Sequence, residues 1–596
     1  MHTSSMLRSF SILAVAIVSV PPLLAQDLPI GLAPHELPLI REYRDTRAGQ
    51  ARGITTPPAF PVRTMAEWEE VQSVVITWAS YTGILKQIVR AAKEECEVII
   101  VCQDPSEVTS VLLNGSYGGP LSDLDGITFL EADYNSIWVR DFGPETIYAN
   151  EVDSLFLLDW IYNRPRPEDD ALSDALGTAK GIEVFSTSQA PYDLVHTGGN
   201  FMSDGFGTAF SSELVLEENG PIGEFNQTSR DEAGVDQMMQ QFMGIVPGRY
   251  VKMQQLLYDN INHIDMHMKL IDEETLLVGE FPLGQSDGPR IEANLQGIIN
   301  DVPSVFGDPY RVVRVPMPPS TSGGLPPNAS YRTYANNVFI NGTVLVPTYR
   351  TEYDTTGLRI LREALPGYNV VGIDCDEQAQ NIISASGAIH CITKCIGVPD
   401  PLLIRHQRLA DTYNTVDPYP VEAYIRHKSG IASAQVYWTI DTLLGYSPVP
   451  MTATEGDVWT AALPAQPAGS VVYYYIEATA NAGKVQVRPL VAPQGWWRFN
   501  VLDLNTSVGP IASTVVVDVF PNPTSSLVMV TLDGPGAHTA EVDLVDVLGR
   551  SVMVLHRGPV HADRRVFADL SSVPSGSYLV IVKSQGARAV RPLVKN

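Results

Sequence analysis

At 596 residues the chain is too long for one ordinary hydrophobic core, so several domains are expected. With 44% hydrophobic and 18% charged residues it has the make-up of folded protein. A formal net charge of -27 argues against nucleic acid as a partner, because phosphate backbones need lysines and arginines; it suits cationic ligands, and solubility alone also accounts for it.

The first element in the chain is a targeting segment. Arg8 precedes the apolar stretch SFSILAVAIVSVPPLLA, too short for a comfortable spanning helix and ending at Ala25 before polar Gln26 and Asp27. Residues 1–25 read as a secretory signal peptide cleaved after Ala25, and 26–60 as a lead or propeptide-like segment. No later stretch is long and apolar enough for a transmembrane segment, so the mature protein is expected to be exported and soluble. Five cysteines, Cys96, Cys102, Cys375, Cys391 and Cys395, are an odd number for an exported chain and leave at least one free thiol.

Residues 61–402 alternate short apolar strands with helical stretches. VQSVVITW reads as a strand, GILKQIVRAAKEE has helical period, and CEVIIVCQ is a strand again. The rhythm recurs in ELVLE followed by VDQMMQQFMGI, in HMKLIDEETLLVGEF, and in NVFINGTVLVPTY followed by LRILREAL. Hairpin-type strand pairs alternating with helices predict an α/β domain of repeated small units rather than a doubly wound parallel sheet. Over 403–503 the texture becomes all-β: VEAYIRH, AQVYWTI, DVWTAAL, VVYYYIEA and WWRFNVL alternate faces at sandwich-like spacing. A polar linker, 504–514, leads to a last β-rich module over 515–596.

Four polar clusters lie in the first of these domains. SIWVRDFGP places Trp138, Arg140 and Asp141 at a predicted strand end broken by Gly143 and Pro144. VHTGGN supplies His196, Gly198, Gly199 and Asn200, and NHIDMH supplies His263, Asp265 and His267. In SASGAIHCITKC, Cys391 is a buried hydrophobe, half of a cystine or metal site, or a nucleophile. Together the clusters offer a thiol, a histidine and two carboxylates, the parts of a cysteine-nucleophile enzyme acting on a cation. If 263–267 is a strand, His263, Asp265 and His267 project from one face. A metallohydrolase built on that trio, completed by His390, Cys391 or Cys395, is then the competing reading.

The ordered set WVRDFGP, HTGGN, HID, TYANN and GAIHCIT resembles the guanidine-modifying superfamily, specifically the agmatine deiminases and the bacterial peptidylarginine deiminases. That resemblance implies a pentein fold, five ββαβ-like units around a pseudo-fivefold axis with the site in the central channel. It matches Cys391 to the nucleophile, His263 to the general acid/base, Asp141 and Asp265 to the carboxylates gripping the guanidinium, and Asn336 to the active-site asparagine, with Asn337 as the alternative register. Trp138 falls where the family has a wall against the substrate, and His196 to Asn200 match the glycine-rich loop beside the site. Residues 403–503 resemble the immunoglobulin-like domain that follows such enzymes, and 515–596 resemble a type IX secretion sorting domain, which implies the secretion machinery as a partner and release or surface attachment as the outcome.

The chemistry calls for this assortment. A guanidinium is planar, charged and a poor electrophile; two carboxylates can hold its edges by paired hydrogen bonds and fix its carbon before the sulfur. The scheme needs no cofactor, and a structural calcium ion is left open by the sequence. In YNRPRPEDD, Arg164 and Arg166 are held extended by prolines and can aim at one carboxylate, such as that of a peptide's C-terminal arginine; agmatine has none. The alternative is that they pair with Glu168, Asp169 and Asp170 on a surface loop. Asn260, three before His263, departs from the bacterial peptidylarginine pattern, which has a substrate-contacting tyrosine there. The expected activity is hydrolysis of peptide arginine to citrulline and ammonia, with agmatine or free arginine as the alternative substrate.

Overall fold

The buried run Val71–Thr77 forms a strand because its β-branched residues fill a pleated surface on both faces. The amphipathic stretch after it, Thr82–Ala92, becomes a helix that buries Ile84, Leu85, Ile88 and Val89. The chain then returns as Glu97–Cys102, parallel to Val71–Thr77 with Val74 opposite Val98, and again as Ile127–Glu131. This computed structural model describes residues 28–47, 53–225, 227–503, 516–533, 539–546, 550–560, 564–584 and 587–596. The expected signal peptide, its cleavage position and the linker at 504–514 lie outside them.

One pattern, an antiparallel pair extended by a parallel strand across a helix, accounts for five sheets of the first region; Ile161–Tyr162 and Val195–His196 form a short parallel pair besides. Glu145–Ala149 pairs antiparallel with Ser154–Asp159, and Val184–Ser186 joins in parallel after the helix Leu172–Lys180. Met202–Ser203 and Ala209–Ser212 are extended by Tyr250–Met253 after the helix Glu232–Met243. Met268–Asp272 and Thr275–Glu280 are extended by Arg311–Pro316 after Gly288–Asp301. Val338–Ile340 and Thr343–Thr348 are extended by Asn369–Asp374 after Thr351–Ala364. The fifth sheet joins the two ends of the region: Lys394–Gly397 runs antiparallel to Val71–Thr77, Cys395 opposite Val74. The fold is α/β with mixed sheets.

Three local expectations change. ELVLE is not a strand: Leu214–Asn219 is a helix, where leucine and glutamate are at home and Val215 is a buried contact. Trp138 to Phe142 does not end a strand; Val139–Phe142 is one helical turn closed by Gly143, and the strand begins afterwards at Glu145. His263 to His267 is not extended either, because Ile264–Met266 is a 3-10 turn, so the three polar side chains do not share a strand face.

By its contacts the chain divides into two units. One gathers the described residues up to Leu409 with Tyr419–Leu463 and Tyr473–Arg498; the other gathers Ala410–Pro418, Pro464–Val472 and Phe499–Asn596. Within the first, the strands Leu403–Arg405, Tyr419–Arg426 and Val458–Leu463 form an antiparallel sheet, and Ile431–Thr439 is the centre of a second. Arg488 meets Glu273 at 2.8 Å, both buried, and so ties this β-rich part to the α/β sheets. The second unit holds the sheet of Val516–Phe520, Leu527–Asp533 and Arg565–Asp569, and that of Ser551–Pro559, Thr539–Asp546, Gly576–Ser584 and Ala587–Lys595. Its core includes Val517, Val530, Val542, Leu544, Val580 and Leu593.

Candidate active site

Each of these five mixed sheets receives a polar residue from the turn just before one strand of its antiparallel pair. Asp141 precedes Glu145–Ala149, the Gly198–Asn200 turn precedes Met202–Ser203, and His263 and Asp265 precede Met268–Asp272. Asn336 precedes Val338–Ile340, and Cys391, on the 3-10 turn His390–Ile392, precedes Lys394–Gly397. A side chain on a short turn anchored by the strand that follows it has little freedom, which suits a preorganised site.

Cys391 is fully buried. Asn336 Nδ2 donates to its sulfur at 3.2 Å, and the thiol lies 3.6 Å from both Asp265 Oδ2 and Asn336 Oδ1. Asn336 Oδ1 also accepts from the His390 amide at 3.0 Å, so one asparagine orients the turn that carries Cys391 and its sulfur together. Asn337 faces elsewhere: its Nδ2 donates to Tyr334 O, and its carbonyl accepts from Lys269.

Asp141 and His263 form the other half. Asp141 Oδ1 accepts from the Gly199 amide and the Thr197 hydroxyl, each at 3.1 Å, and lies 3.5 Å from His263 Nδ1. The same hydroxyl is 3.3 Å from His263 Nε2. Two glycines permit this closeness. A Cβ on Gly199 would stand 2.5 Å from His263 Nδ1 and 2.7 Å from Asp141 Oδ1, and one on Gly198 would stand 2.0 Å from the Arg140 carbonyl oxygen.

Asp265 is held from behind. His390 Nδ1 lies 2.7 Å from Asp265 Oδ2, while His390 Nε2 lies 3.0 Å from Glu67 Oε1. Glu67 in turn contacts Lys269 Nζ at 2.5 Å and Arg140 Nη2 at 3.5 Å. One oxygen of each catalytic-type carboxylate, Asp141 Oδ2 and Asp265 Oδ1, is buried with no hydrogen-bond partner among the described residues.

The electrostatics follow from burial and from which groups are paired. Burial pushes Asp141 up despite the nearby His263, and pushes His263 down despite the nearby Asp141 and Asp265. Burial alone would raise Asp265, but the hydrogen bond and charge of His390 outweigh it and lower the group. The Cys391 thiol is driven well above its ordinary value by burial, then by the charges of Asp265 and Asp141. The cluster is therefore short of positive charge around the sulfur, and a flat cation would offset the rise of both Asp141 and Cys391.

Other expected residues are placed differently. His196 is stacked on Trp160 at 4.6 Å with its Nε2 3.0 Å from Tyr250 OH, and burial lowers it to about 3, so it is a neutral support of the Asp141 wall. Asn200 Oδ1 accepts from the Ser212 amide and braces the loop. His267 is buried, lowered to about 4, and its ring nitrogens have no hydrogen-bond partner among the described residues. Among those residues no three His, Cys, Asp or Glu side chains are grouped to hold a metal ion, and all five cysteines are free thiols. Asn260 is exposed.

Arg164 and Arg166 differ most from expectation. Arg166 Nε and Nη2 grip both oxygens of Glu36 at 2.7 and 3.0 Å, and Arg164 Nε donates to Ile30 O at 2.9 Å. The adjacent Asp169 accepts instead from the Asn135 and Ser136 amides. Glu67 gained no site role from the sequence, and His390 entered only as a possible metal ligand; in the structure both stand behind Asp265.

A buried thiol between carboxylates on mixed α/β sheets defines the class of guanidino-group deiminases, hydrolases of C–N bonds. Residues 63–396, more than half of the chain, match the family model for Porphyromonas-type peptidyl-arginine deiminase, and the chain belongs to that family. Residues 518–596 match a secretion system C-terminal sorting domain, so the chain carries a type IX sorting signal and is exported, to be secreted or held at the cell surface. A relative from Vibrio parahaemolyticus, described as a "Putative agmatine deiminase", is 22% identical over 57% of this chain and 98% of its own. Solved structures of the agmatine deiminases of Enterococcus faecalis and of C. jejuni, the latter a cysteine-to-serine form with substrate bound, are 18% and 19% identical, with TM-scores of 0.48 and 0.47. They cover 58% and 57% of this chain and 99% and 97% of their own. No helix among the described residues is long and apolar enough to cross a membrane.

Proposed function

We propose that this chain is an exported peptidylarginine deiminase that hydrolyses the guanidinium of a peptide's arginine, with C-terminal arginine preferred, to citrulline and ammonia. The observation that carries the reading is the placement of the Cys391 sulfur between Asn336 and Asp265, with each of Asp141 and Asp265 keeping one unpartnered oxygen. Those oxygens suit the N–H edges of a guanidinium.

In this reading the bound cation lowers the thiol's pKa and His263, neutral in the buried site, takes its proton. The sulfur forms a bond to the guanidinium carbon, whose π electrons shift to nitrogen. His263 returns the proton to one amino group; the C–N bond breaks and ammonia leaves, with a cationic thiouronium on Cys391. Water then loses a proton to His263 as its oxygen bonds to the same carbon. The C–S bond breaks, the sulfur is reprotonated, and the net proton released converts ammonia to ammonium. Acid/base help of this kind is worth roughly 10²–10⁴ in rate. No step calls on a metal.

The five mixed sheets, each offering its residue from the same kind of turn, support a five-bladed pentein arrangement around the site. The antiparallel sheets over 403–503 and 516–596 support two β-sandwich domains after it. A second reading, agmatine as substrate, is favoured by the engagement of Arg166 with Glu36, which leaves that guanidinium already paired. Mass spectrometry of an Arg-terminated peptide, its amidated form and agmatine, each incubated with wild-type and Cys391→Ala protein, tests the proposal. The mass increment of NH replaced by O should appear on the free-acid peptide first and vanish in the variant. Equal rates on the amidated peptide, or turnover that survives the loss of Cys391, would refute it.

A further inference from the structure

Residues 28–36 lie against Trp138, Arg164 and Arg166 in a way that packing alone does not explain. Four consecutive backbone carbonyls are each captured by a side chain assigned above to substrate binding. Trp138 Nε1 donates to Leu28 O at 2.7 Å, Arg166 Nη2 to Pro29 O at 2.8 Å and Gly31 O at 3.1 Å, and Arg164 Nε to Ile30 O at 2.9 Å. The Ile30 amide donates to Ala385 O at 3.3 Å, on the loop leading to Cys391, and the Ile30 side chain is fully buried. At the end of this run Glu36 turns back. Its carboxylate is held by the Arg166 fork, and the Ala33 amide donates to it at 2.7 Å. Burial would raise Glu36, but Arg166 outweighs it and the carboxyl sits below its usual range.

A backbone gripped through successive carbonyls, with an apolar anchor at Ile30 and a carboxylate held at Glu36, is how a protein holds an extended peptide. A buried ion pair is weak evidence for added stability and is better explained by a switch or a register. Cys391, His263 and Asp141 are each no more than 1% exposed in this state, so nothing the size of a peptide reaches them.

We propose that Trp138, Arg164, Arg166 and Ala385 form a peptide-binding groove that the chain's own residues 28–36 fill as an internal pseudosubstrate. Glu36 stands on Arg166 where the terminal carboxylate of a peptide substrate would bind, and the enzyme is shut until this segment is withdrawn. The proposal rests on the peptide-arginine reading for the identity of the displaced substrate, but not for the closure itself.

The test uses the full chain and two readouts, the rate of alkylation of Cys391 by iodoacetamide followed on its own peptide, and citrulline formation from an Arg-terminated peptide. Weakening the closed state enlarges the binding-competent fraction, so Glu36→Gln should label about tenfold faster or more, and lower KM in proportion with kcat little changed. Ile30→Asp, which removes the apolar anchor instead of the charge, should do the same, and so guards against a variant that simply fails to fold. A synthetic peptide of residues 28–36, LPIGLAPHE, should suppress labelling of either variant, and its form with glutamine for the last residue should not. Equal labelling of wild type and both variants, with the peptide inert, overturns the proposal even where citrulline is made. Faster labelling without turnover of any guanidine upholds the closure and sinks the peptide-arginine reading instead.

Discussion

His390 Nδ1 lies 2.7 Å from Asp265 Oδ2, so the residue next to Cys391 in sequence holds the carboxylate next to it in space. The far side of the same ring faces Glu67 at 3.0 Å, and Glu67 is shared with Lys269. The direction of the unpartnered Asp265 Oδ1 is thus set through His390, Glu67 and Lys269.

Glu67 provides the first prediction. Burial alone would raise its pKa, but His390, Lys269 and Arg140 hold it well below the usual carboxylate range. Its folded value lies beneath the unfolded one of 4.5, so the stability it contributes is complete above that pH and is lost as pH falls through the depressed folded value. Glu67→Gln should cost about 3 kcal/mol near neutrality, chiefly by leaving Lys269 buried without a counter-charge, and should flatten the acid limb of a Tm–pH series. It should also lower kcat roughly 10²-fold by letting Asp265 turn. An unchanged acid limb measured by calorimetry contradicts the assignment.

Gly199 provides the second. Its backbone is not in the left-handed region, so Gly199→Ala costs nothing in conformation and acts only through contacts with His263 and Asp141. Their displacement should reduce kcat by about 10²-fold, as for a reacting group misplaced by an ångström. A steady-state assay with wild-type rates would show that the two side chains relax freely.

The thiol provides the third. Because burial, Asp265 and Asp141 raise Cys391, its thiolate forms only above the ordinary cysteine range in the ligand-free protein. Alkylation of Cys391 should therefore begin at higher pH than for free cysteine, and Asp265→Asn should move the onset to lower pH by removing one negative charge. A pH–rate profile of labelling that is the same in wild type and variant would contradict this electrostatic account.

Much of the fold and of the site is legible along the chain. The helix Thr82–Ala92 and the hairpin Met268–Asp272 with Thr275–Glu280 follow from local hydrophobic period, and the motifs around Asp141, Asp265, Asn336 and Cys391 name the residues that the structure gathers. Short turns are not legible. Val139–Phe142 and Ile264–Met266 are too brief to show a period of their own, and only the strands that follow them set their direction.

By itself, the sequence determined which segments alternate, which residue types could perform the chemistry, and that a module of the sorting kind is present. Tertiary structure alone decided that Asn336 rather than Asn337 meets the sulfur, that His390 bridges Asp265 to Glu67, and that Arg166 is matched by Glu36 from 130 residues away. The division has a physical cause. Periodicity and turn chemistry act between neighbours along the chain, whereas the partner of a buried charge is chosen by whichever distant segment the closed sheets bring within hydrogen-bond reach.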